Sequence, residues 1–277
     1  MKIKFYGTGA AEGVPAVFCK CEVCEKSRKA GGKNIRSRSQ AAIDGTLLID
    51  LPPDTFLHAA YGGLPLQDIK RCLITHAHGD HFYPAELEFR MKPFAHGVTD
   101  RFALYGSDKV KEAFELLLEA HKYPWWTEER VKFTEIKPFI SFEAAGYKIT
   151  PLAADHGAES GPVIYLIGKA DKTLLYAHDT GYFPDETWDY LRNNKIRLNL
   201  ATFDCTGCTQ KWRGNHMGLD AVIEVRQRLL DIGCCDDKTR YCLNHFSHNG
   251  GSTYDGFEEI SRPHGFTVAY DGLEIEV

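Results

Sequence analysis

The sequence predicts a mixed α/β chain on three observations. Short runs rich in apolar residues recur along its length, helical patterns interrupt them, and 43% hydrophobic content over 277 residues is enough for one substantial core. Residues 2–6, 46–50, 69–75, 148–152, 163–167, 173–177, 198–203, 240–244 and 266–270 read as strands. Each is too short for a stable helix and carries aliphatic or aromatic side chains. Residues 107–121, 184–193, 218–230 and 253–262 place apolar residues at helical spacing, and Ser107 and Asp185 mark two of the starts. Residues 83–137 show the least strand character. They carry one helix and the Trp125–Trp126 pair, and are expected either as a helical insertion over a site or as a helix packed on the core. No linker composition or solenoid-length repeat divides the chain, so a single domain over 1–277 is expected, although two similar αβ halves would escape notice at this level.

A net charge of -5 gives no general attraction to polyanions, which makes a large nucleic acid a poor partner. No apolar run approaches the roughly 18 residues needed to cross a bilayer. The opening MKIKFYGTGAAEG has neither an apolar signal core nor a small-residue cleavage site, so a cytoplasmic protein away from membranes is expected. Nine cysteines would suggest disulfides in a secreted chain, but Cys19, Cys21 and Cys24 crowd together as metal ligands do in a reducing compartment.

The strongest chemical signal is Thr75-His76-Ala77-His78-Gly79-Asp80-His81, directly after the apolar Cys72-Leu73-Ile74. Imidazole and carboxylate suit zinc, manganese or iron(II). Alternate positions of an extended segment project His76 and His78 together, while Asp80 and His81 can turn to a second ion. The competing reading is a polar surface loop. Further ligand types stand where other strand-like runs end: His156, Asp179 and His245. Singly, such residues are more often structural than ligating; their ordered placement gives them weight.

This H-x-H-x-D-H motif followed by isolated His, Asp and His resembles the metallo-β-lactamase superfamily over nearly the whole chain. The resemblance implies a four-layer αββα sandwich with a dinuclear metal site at one sheet edge. It implies one ion held by His76, His78 and His156, the other by Asp80, His81 and His245, and Asp179 bridging both. A bridging carboxylate is a mark of the phosphodiesterase-type members. Two such ions, manganese, zinc or iron, would lower the pKa of a shared water and clamp phosphoryl oxygens.

The segments Gly7-Thr8-Gly9-Ala10-Ala11, Val14-Pro15, Leu191-Arg192-Asn193-Asn194 and Phe203-Asp204-Cys205 add a resemblance to the cyclic phosphodiesterases that open phosphoribosyl 1,2-cyclic phosphate in phosphonate catabolism. In that family a Cys-x-Cys-x2-Cys cluster and a late histidine bind structural zinc. Here these would be Cys19, Cys21, Cys24 and His248, against the alternatives of buried free thiols or a redox cluster. The family, like tRNase Z, also implies a proton-donating His216 oriented by Asp204; Asp80 joins them in the expected catalytic set. An ordinary histidine at a helix start is the alternative for His216.

His178 is read as packing, because neighbours on a strand face opposite ways. Cys205 and Cys208 are read as free thiols or a second zinc pair, and Arg36, Lys211 and Arg213 as local charge for a phosphate. The expected substrate is a small phosphodiester, and a homodimer is compatible with the resemblance. The rivals are tRNA 3′-processing, which calls for a basic RNA-grasping arm not found in the sequence, and a non-hydrolytic relative of pyrroloquinoline quinone biosynthesis B proteins, whose metal motif is degraded where this one is intact.

Overall fold

In a computed structural model the described residues are 1–121 and 130–277, with the side chains of 120 and 121 left aside. The Trp125–Trp126 pair lies outside them. Fourteen strands among the described residues form two sheets. The first contains β1 (Lys2–Gly7), β2 (Gln40–Ile43), β3 (Leu47–Ile49), β4 (Arg71–Leu73), β5 (Phe102–Gly106) and β6 (Val131–Glu135). The second contains β7 (Phe142–Ala144), β8 (Tyr147–Ala153), β9 (Val163–Lys169), β10 (Lys172–Ala177), β11 (Leu200–Asp204), β12 (Arg240–Asn244) and β13 (Thr267–Val268). The last strand, β14 (Glu274–Glu276), returns to pair with β1.

The first sheet runs β14-β1-β2-β3-β4-β5-β6 and the second β13-β12-β11-β10-β9-β8-β7. From β14 the first sheet has antiparallel pairings as far as β3, then parallel ones to β6. From β7 the second repeats that pattern, antiparallel as far as β10 and parallel to β13. The chain is therefore two similar αβ halves, a repeat hidden in the sequence because pairing geometry, not residue identity, is conserved between them.

Alternation along the strands builds the layers. Leu47 and Ile49 join the core between the sheets while Leu48 faces the other way, towards Cys72, Leu104, Val110 and Phe114. Val110 and Phe114 belong to α3 (Asp108–His121), which covers the first sheet. On the second sheet α5 (Leu219–Asp231) buries Leu219, Val222, Val225 and Leu229, a stripe at helical spacing, and α4 (Asp185–Asn193) buries Trp188 and Leu191. The result is the αββα sandwich.

Several expectations are corrected. Residues 83–137 hold the expected helix, α3, but are less poor in strands than expected, since they also supply β5 and β6 at the edge of the first sheet. The expected strand at 69–75 keeps ladder pairing only over Arg71–Leu73, because the Thr75 amide turns aside to donate to the Asp50 carboxylate at 2.8 Å. The helix α1 (Glu22–Ala30) was not expected, as EVCEKSRKA has no apolar stripe. It is held instead by buried Cys24 and by Arg28, which donates to the carbonyls of Ala16 and Cys19 at 3.0 and 2.7 Å.

Another such helix, α2 (Thr55–Ala60), buries His58 between Gln40 Oε1 at 2.6 Å and Ser37 Oγ at 2.7 Å. Burial, only partly offset by the nearby Asp54 charge, pulls its imidazole down to about 4. An unfolded histidine titrates near 6.5, so acid protonates the unfolded chain first. Folding stability is then present above pH ~6.5 and is expected to fall by about 3 kcal/mol as pH drops to ~4. Urea midpoints across that range should show this slope, and His58→Gln should remove one proton's worth of it; an unchanged slope would assign the effect elsewhere.

Candidate metal centre

The proposed ligands stand where strands end, on the carboxyl side, so that turns from different strands converge on one point. The loop after β4 supplies His76, His78, Asp80 and His81; β8 leads to His156, β10 to Asp179 and β12 to His245. Asp179 and His245 hold left-handed backbone, with φ of 52° and 62°. Such conformations are uncommon outside glycine and gather where local structure is over-determined. They turn each side chain sharply off its strand and into the site.

The side chains meet. Asp179 Oδ2 lies 3.0 Å from Nε2 of both His81 and His245, and His81 Nε2 is 3.3 Å from Asp80 Oδ2. His156 Nε2 is 3.2 Å from His78 Nδ1, and the His76 ring centroid is 4.6 Å from that of His78 and 4.9 Å from that of His156. Candidate ligand atoms of His76, His78 and His156 lie within 4.8 Å of one another, and so do those of His76, Asp80 and His81.

Four of the five imidazoles are turned by a partner on Nδ1, while His78 faces His156 through its own Nδ1. His76 Nδ1 is 3.0 Å from Thr75 Oγ1, His81 Nδ1 donates to Asp50 at 2.8 Å, His245 Nδ1 to Thr206 Oγ1 at 2.8 Å, and His156 Nδ1 to the Asn215 carbonyl at 3.2 Å. This arrangement fixes tautomers and aims Nε2 inward, as around metal ions. Asp50, Thr75 and Thr206 were not singled out from sequence. Their one signal is position, at the end of a strand or just beyond it.

Of the ten buried side-chain atoms without a hydrogen-bond partner among the described residues, His76 Nε2 and Asp179 Oδ2 are the two that belong to these proposed ligands. Buried lone pairs left unmet among converging acceptors are unfavourable unless a cation satisfies them, so the residues fit divalent ions.

Beside these ligands, Asp204 is wholly buried at the end of β11. It accepts from the amides of Thr206 and Met217 at 3.0 Å, from that of Asp179 at 3.1 Å, and from His216 Nδ1 at 2.8 Å. One carboxylate thus positions both Asp179 and His216. Its lone pairs are taken up by these donors, which suits an orienting group better than a ligand. Burial works against charge on His216, but Asp204 outweighs it and raises the imidazole to about 9.

The cysteine cluster forms at some distance in sequence from its last member. His248 Nδ1 is 3.6 Å from Cys19 Sγ and 3.4 Å from Cys21 Sγ, and the candidate ligand atoms of Cys19, Cys21, Cys24 and His248 lie within 4.8 Å of one another. The amide of Cys24, then His248 and Cys19, bring the Cys21 thiol down to about 6, while burial lifts that of Cys24 to about 12. A Cys3His set is suited to tetrahedral zinc.

Other candidates lie elsewhere. Cys205 and Cys208 are buried in the core, with Cys208 Sγ against Gly250, and belong to no metal-type cluster among the described residues. Arg36 is no phosphate ligand. It is buried, donates to Thr8 Oγ1 and the Ala269 carbonyl at 2.8 and 2.7 Å, and lies 4.0 Å from the Phe246 ring centroid. Arg213 is paired with Glu224, Lys211 is exposed, and His178 packs on Tyr176 at a ring separation of 3.9 Å.

A model of the β-lactamase superfamily domain matches residues 46–246, more than half of the chain. The chain belongs to that superfamily. Its metallo-β-lactamase fold is shared by solved structures: a new diphosphatase from the PhnP family has a TM-score of 0.74 at 24% identity, covering 100% of this chain and 98% of that one. Zinc-bound PqqB from Methylobacterium extorquens has a TM-score of 0.74 at 19% identity, covering 100% of both. At these identities the likeness shows the fold alone. Among curated relatives, a protein named octanoyltransferase from Porphyromonas gingivalis is 28% identical over 289 residues, 99% of this chain and 51% of its own length. Ribonuclease Z of Listeria innocua is 26% identical over 165 residues, 58% of this chain and 47% of its own. The chain therefore spans about half the length of these curated relatives. Among the described residues no helix is long and apolar enough to cross a membrane.

Proposed function

We propose that this metallo-β-lactamase-fold chain is a dinuclear metal-dependent hydrolase of small phosphodiesters. His76, His78 and His156 hold one ion and Asp80, His81 and His245 the other, with Asp179 between them. The observation that carries the reading is the pair of unmet buried atoms, His76 Nε2 and Asp179 Oδ2, at the point where these side chains converge. When bound, two zinc, manganese or iron(II) ions supply Lewis acidity and make water acidic enough to attack near neutral pH.

The chain's own residues do the rest. His216, with Nδ1 bound to Asp204, presents Nε2 to the same cavity and donates a proton to the departing oxygen as the P–O bond breaks. Asp204 stays ionised and keeps the imidazole in the donating orientation. An acid beside the ligand set serves a diester that expels an alkoxide, because that oxygen departs poorly without a proton. The ribonuclease Z relatives leave RNA as a rival substrate; the net charge of -5 counts against it.

The deciding experiment is a turnover profile of metal-quantified protein against cyclic, linear and aryl phosphodiesters beside thioesters and lactones. Phosphodiesters are expected to lead. Turnover confined to thioesters or lactones would overturn the assignment.

The Cys19, Cys21, Cys24 and His248 cluster is proposed as a structural zinc site pinning the N-terminal loop to the His245 loop. Cys21 is exposed, so Cys21→Ser opens no cavity. It is expected to lower bound zinc by about one ion per chain and the melting temperature by roughly 5–10 °C. Metal analysis with a thermal melt checks both; unchanged zinc would leave these cysteines as free thiols.

A further inference from the structure

The cavity over the metal centre, about 350 Å³, shows what accompanies the scissile group. Beyond the proposed ligands, His216 and Thr206, its walls are Ala10, Ala11, Glu12, Trp212, Ser247 and Asn249. Two features stand out. Among the described lining residues none is lysine or arginine, and the one large apolar ring is Trp212, left 37% exposed.

Trp212 is held rather than loose. Its indole lies over Gly207, where even a methyl group would come within 3.1 Å of two ring atoms. Its carbonyl accepts from the Gly218 amide at 2.9 Å, and Gly218 in turn passes so close to the Gln210 carbonyl that no side chain fits there. Two glycines thus press a tight loop around the tryptophan, and that loop also carries His216. The indole N–H makes no hydrogen bond among the described residues. A braced, half-exposed indole beside a reaction centre is a surface on which a planar ring can stack.

Charge excludes another kind of substrate. Of the basic side chains nearby, Arg213 is paired with Glu224, Arg36 donates to Thr8 and Ala269, Arg38 is held by Asp54 at 3.2 Å and the Ala11 carbonyl at 2.8 Å, and Lys211 is exposed outside the cavity lining. Glu12 adds negative charge to the cavity wall. His216 would meet the diester phosphate at the metal site, whereas a second phosphate on the same substrate would face the Glu12 carboxylate in a cavity with no lysine or arginine among its described lining residues.

We propose that this centre selects phosphodiesters bearing an uncharged planar ring, a nucleobase or aryl group that stacks on Trp212, and discriminates against those carrying an additional terminal phosphate. This rests on the phosphodiesterase reading and narrows it: phosphoribosyl 1,2-cyclic phosphate, with its second phosphate and no ring of that kind, becomes a poor fit.

The test compares metal-loaded wild type, Trp212→Leu and Trp212→Phe on adenosine 2′,3′-cyclic phosphate, its 5′-phosphorylated form, the base-free ribose cyclic phosphate and an aryl methyl phosphate. Relative to the base-free substrate, Trp212→Leu is expected to lose about 5- to 100-fold in kcat/KM on the adenosine substrate, mainly through KM, with Trp212→Phe recovering most of it. A matching loss on the aryl diester marks any aromatic group as sufficient; a loss on the adenosine substrate alone marks the base. The 5′-phosphorylated form should show KM raised on the order of tenfold. Equal losses on all substrates would reduce Trp212 to a structural part, and an unchanged or lower KM for the phosphorylated form would overturn the charge argument. Quenching of tryptophan emission by adenosine, present in wild type and absent in Trp212→Phe, reads the platform without turnover. If wild type cleaves no phosphodiester, the parent reading fails; quenching then decides the ring platform alone, and its absence sinks that too.

Discussion

Replacing Asp179 by alanine is expected to lower phosphodiester turnover by on the order of 10³-fold or more and to leave the centre unable to keep both ions. The reason is geometric. Its Oδ2 is 3.0 Å from Nε2 of His81 and of His245, and its Oδ1 is 3.9 Å from Nε2 of His156, so one carboxylate faces both halves of the ligand set. Without it the two cations would repel each other across a buried site with nothing between them to reduce that repulsion. Alanine would also occupy left-handed backbone at φ 52°, which adds about 1 kcal/mol of strain that asparagine largely avoids. Asp179→Asn separates the two effects: it keeps the backbone and size but removes the charge, so it should lose metal and activity nearly as far while melting closer to wild type. Steady-state rates with bound metal quantified, alongside a thermal melt, decide the matter. A variant with two ions and undiminished turnover would rule out the bridging role.

The same geometry explains which parts of the centre can be read from sequence. His76, His78, Asp80 and His81 are legible because one loop carries them, and the cysteines because they fall within six positions. His156, Asp179 and His245 emerge because each ends an apolar run, a signal that survives folding since the carboxyl ends of strands share one edge of the sandwich. Asp50 is invisible by comparison. In sequence it merely follows Leu47-Leu48-Ile49; only the parallel pairing of β3 with β4 sets it beside Thr75 and His81. Thr206 is hidden for a similar reason, since a threonine near a strand end is commonplace until Asp204 and His245 meet on it. Arg36 misleads in the opposite sense. A basic residue in a loop suggests an anion, yet its guanidinium is enclosed by Phe246, Tyr254 and Thr8, contacts made between segments more than two hundred positions apart or brought together by the sheet edge. Likewise β6 is a strand by pairing more than by composition: with only Val131 buried along its length, it shows little of the alternation that betrays a strand.

His216→Ala provides the second large effect, and its size should depend on the leaving group. A proton donor matters most when the departing oxygen is a poor leaving group and least when it is stable as an anion. For a diester expelling an alkoxide, His216→Ala is expected to reduce kcat by roughly 10²- to 10⁴-fold. For one expelling 4-nitrophenolate the loss should shrink to within about tenfold, because that anion needs no proton in the transition state. The hydrogen bond from His216 Nδ1 to Asp204 at 2.8 Å is what makes the imidazole a donor on the cavity side, so Asp204→Asn should show the same dependence on leaving group at smaller amplitude. It should also destabilise the fold, since the amides of Asp179, Thr206 and Met217 would lose a charged acceptor. His216→Ala should cost less stability, because Asp204 keeps its amide donors although it loses its charged partner. Plotting log kcat against leaving-group pKa for the wild type and both variants tests the assignment. A steeper slope in His216→Ala identifies the acid, whereas parallel lines displaced downward would mean that His216 only supports the ligands packed around it, with ring centroids 4.9 Å from His156 and 5.6 Å from His245.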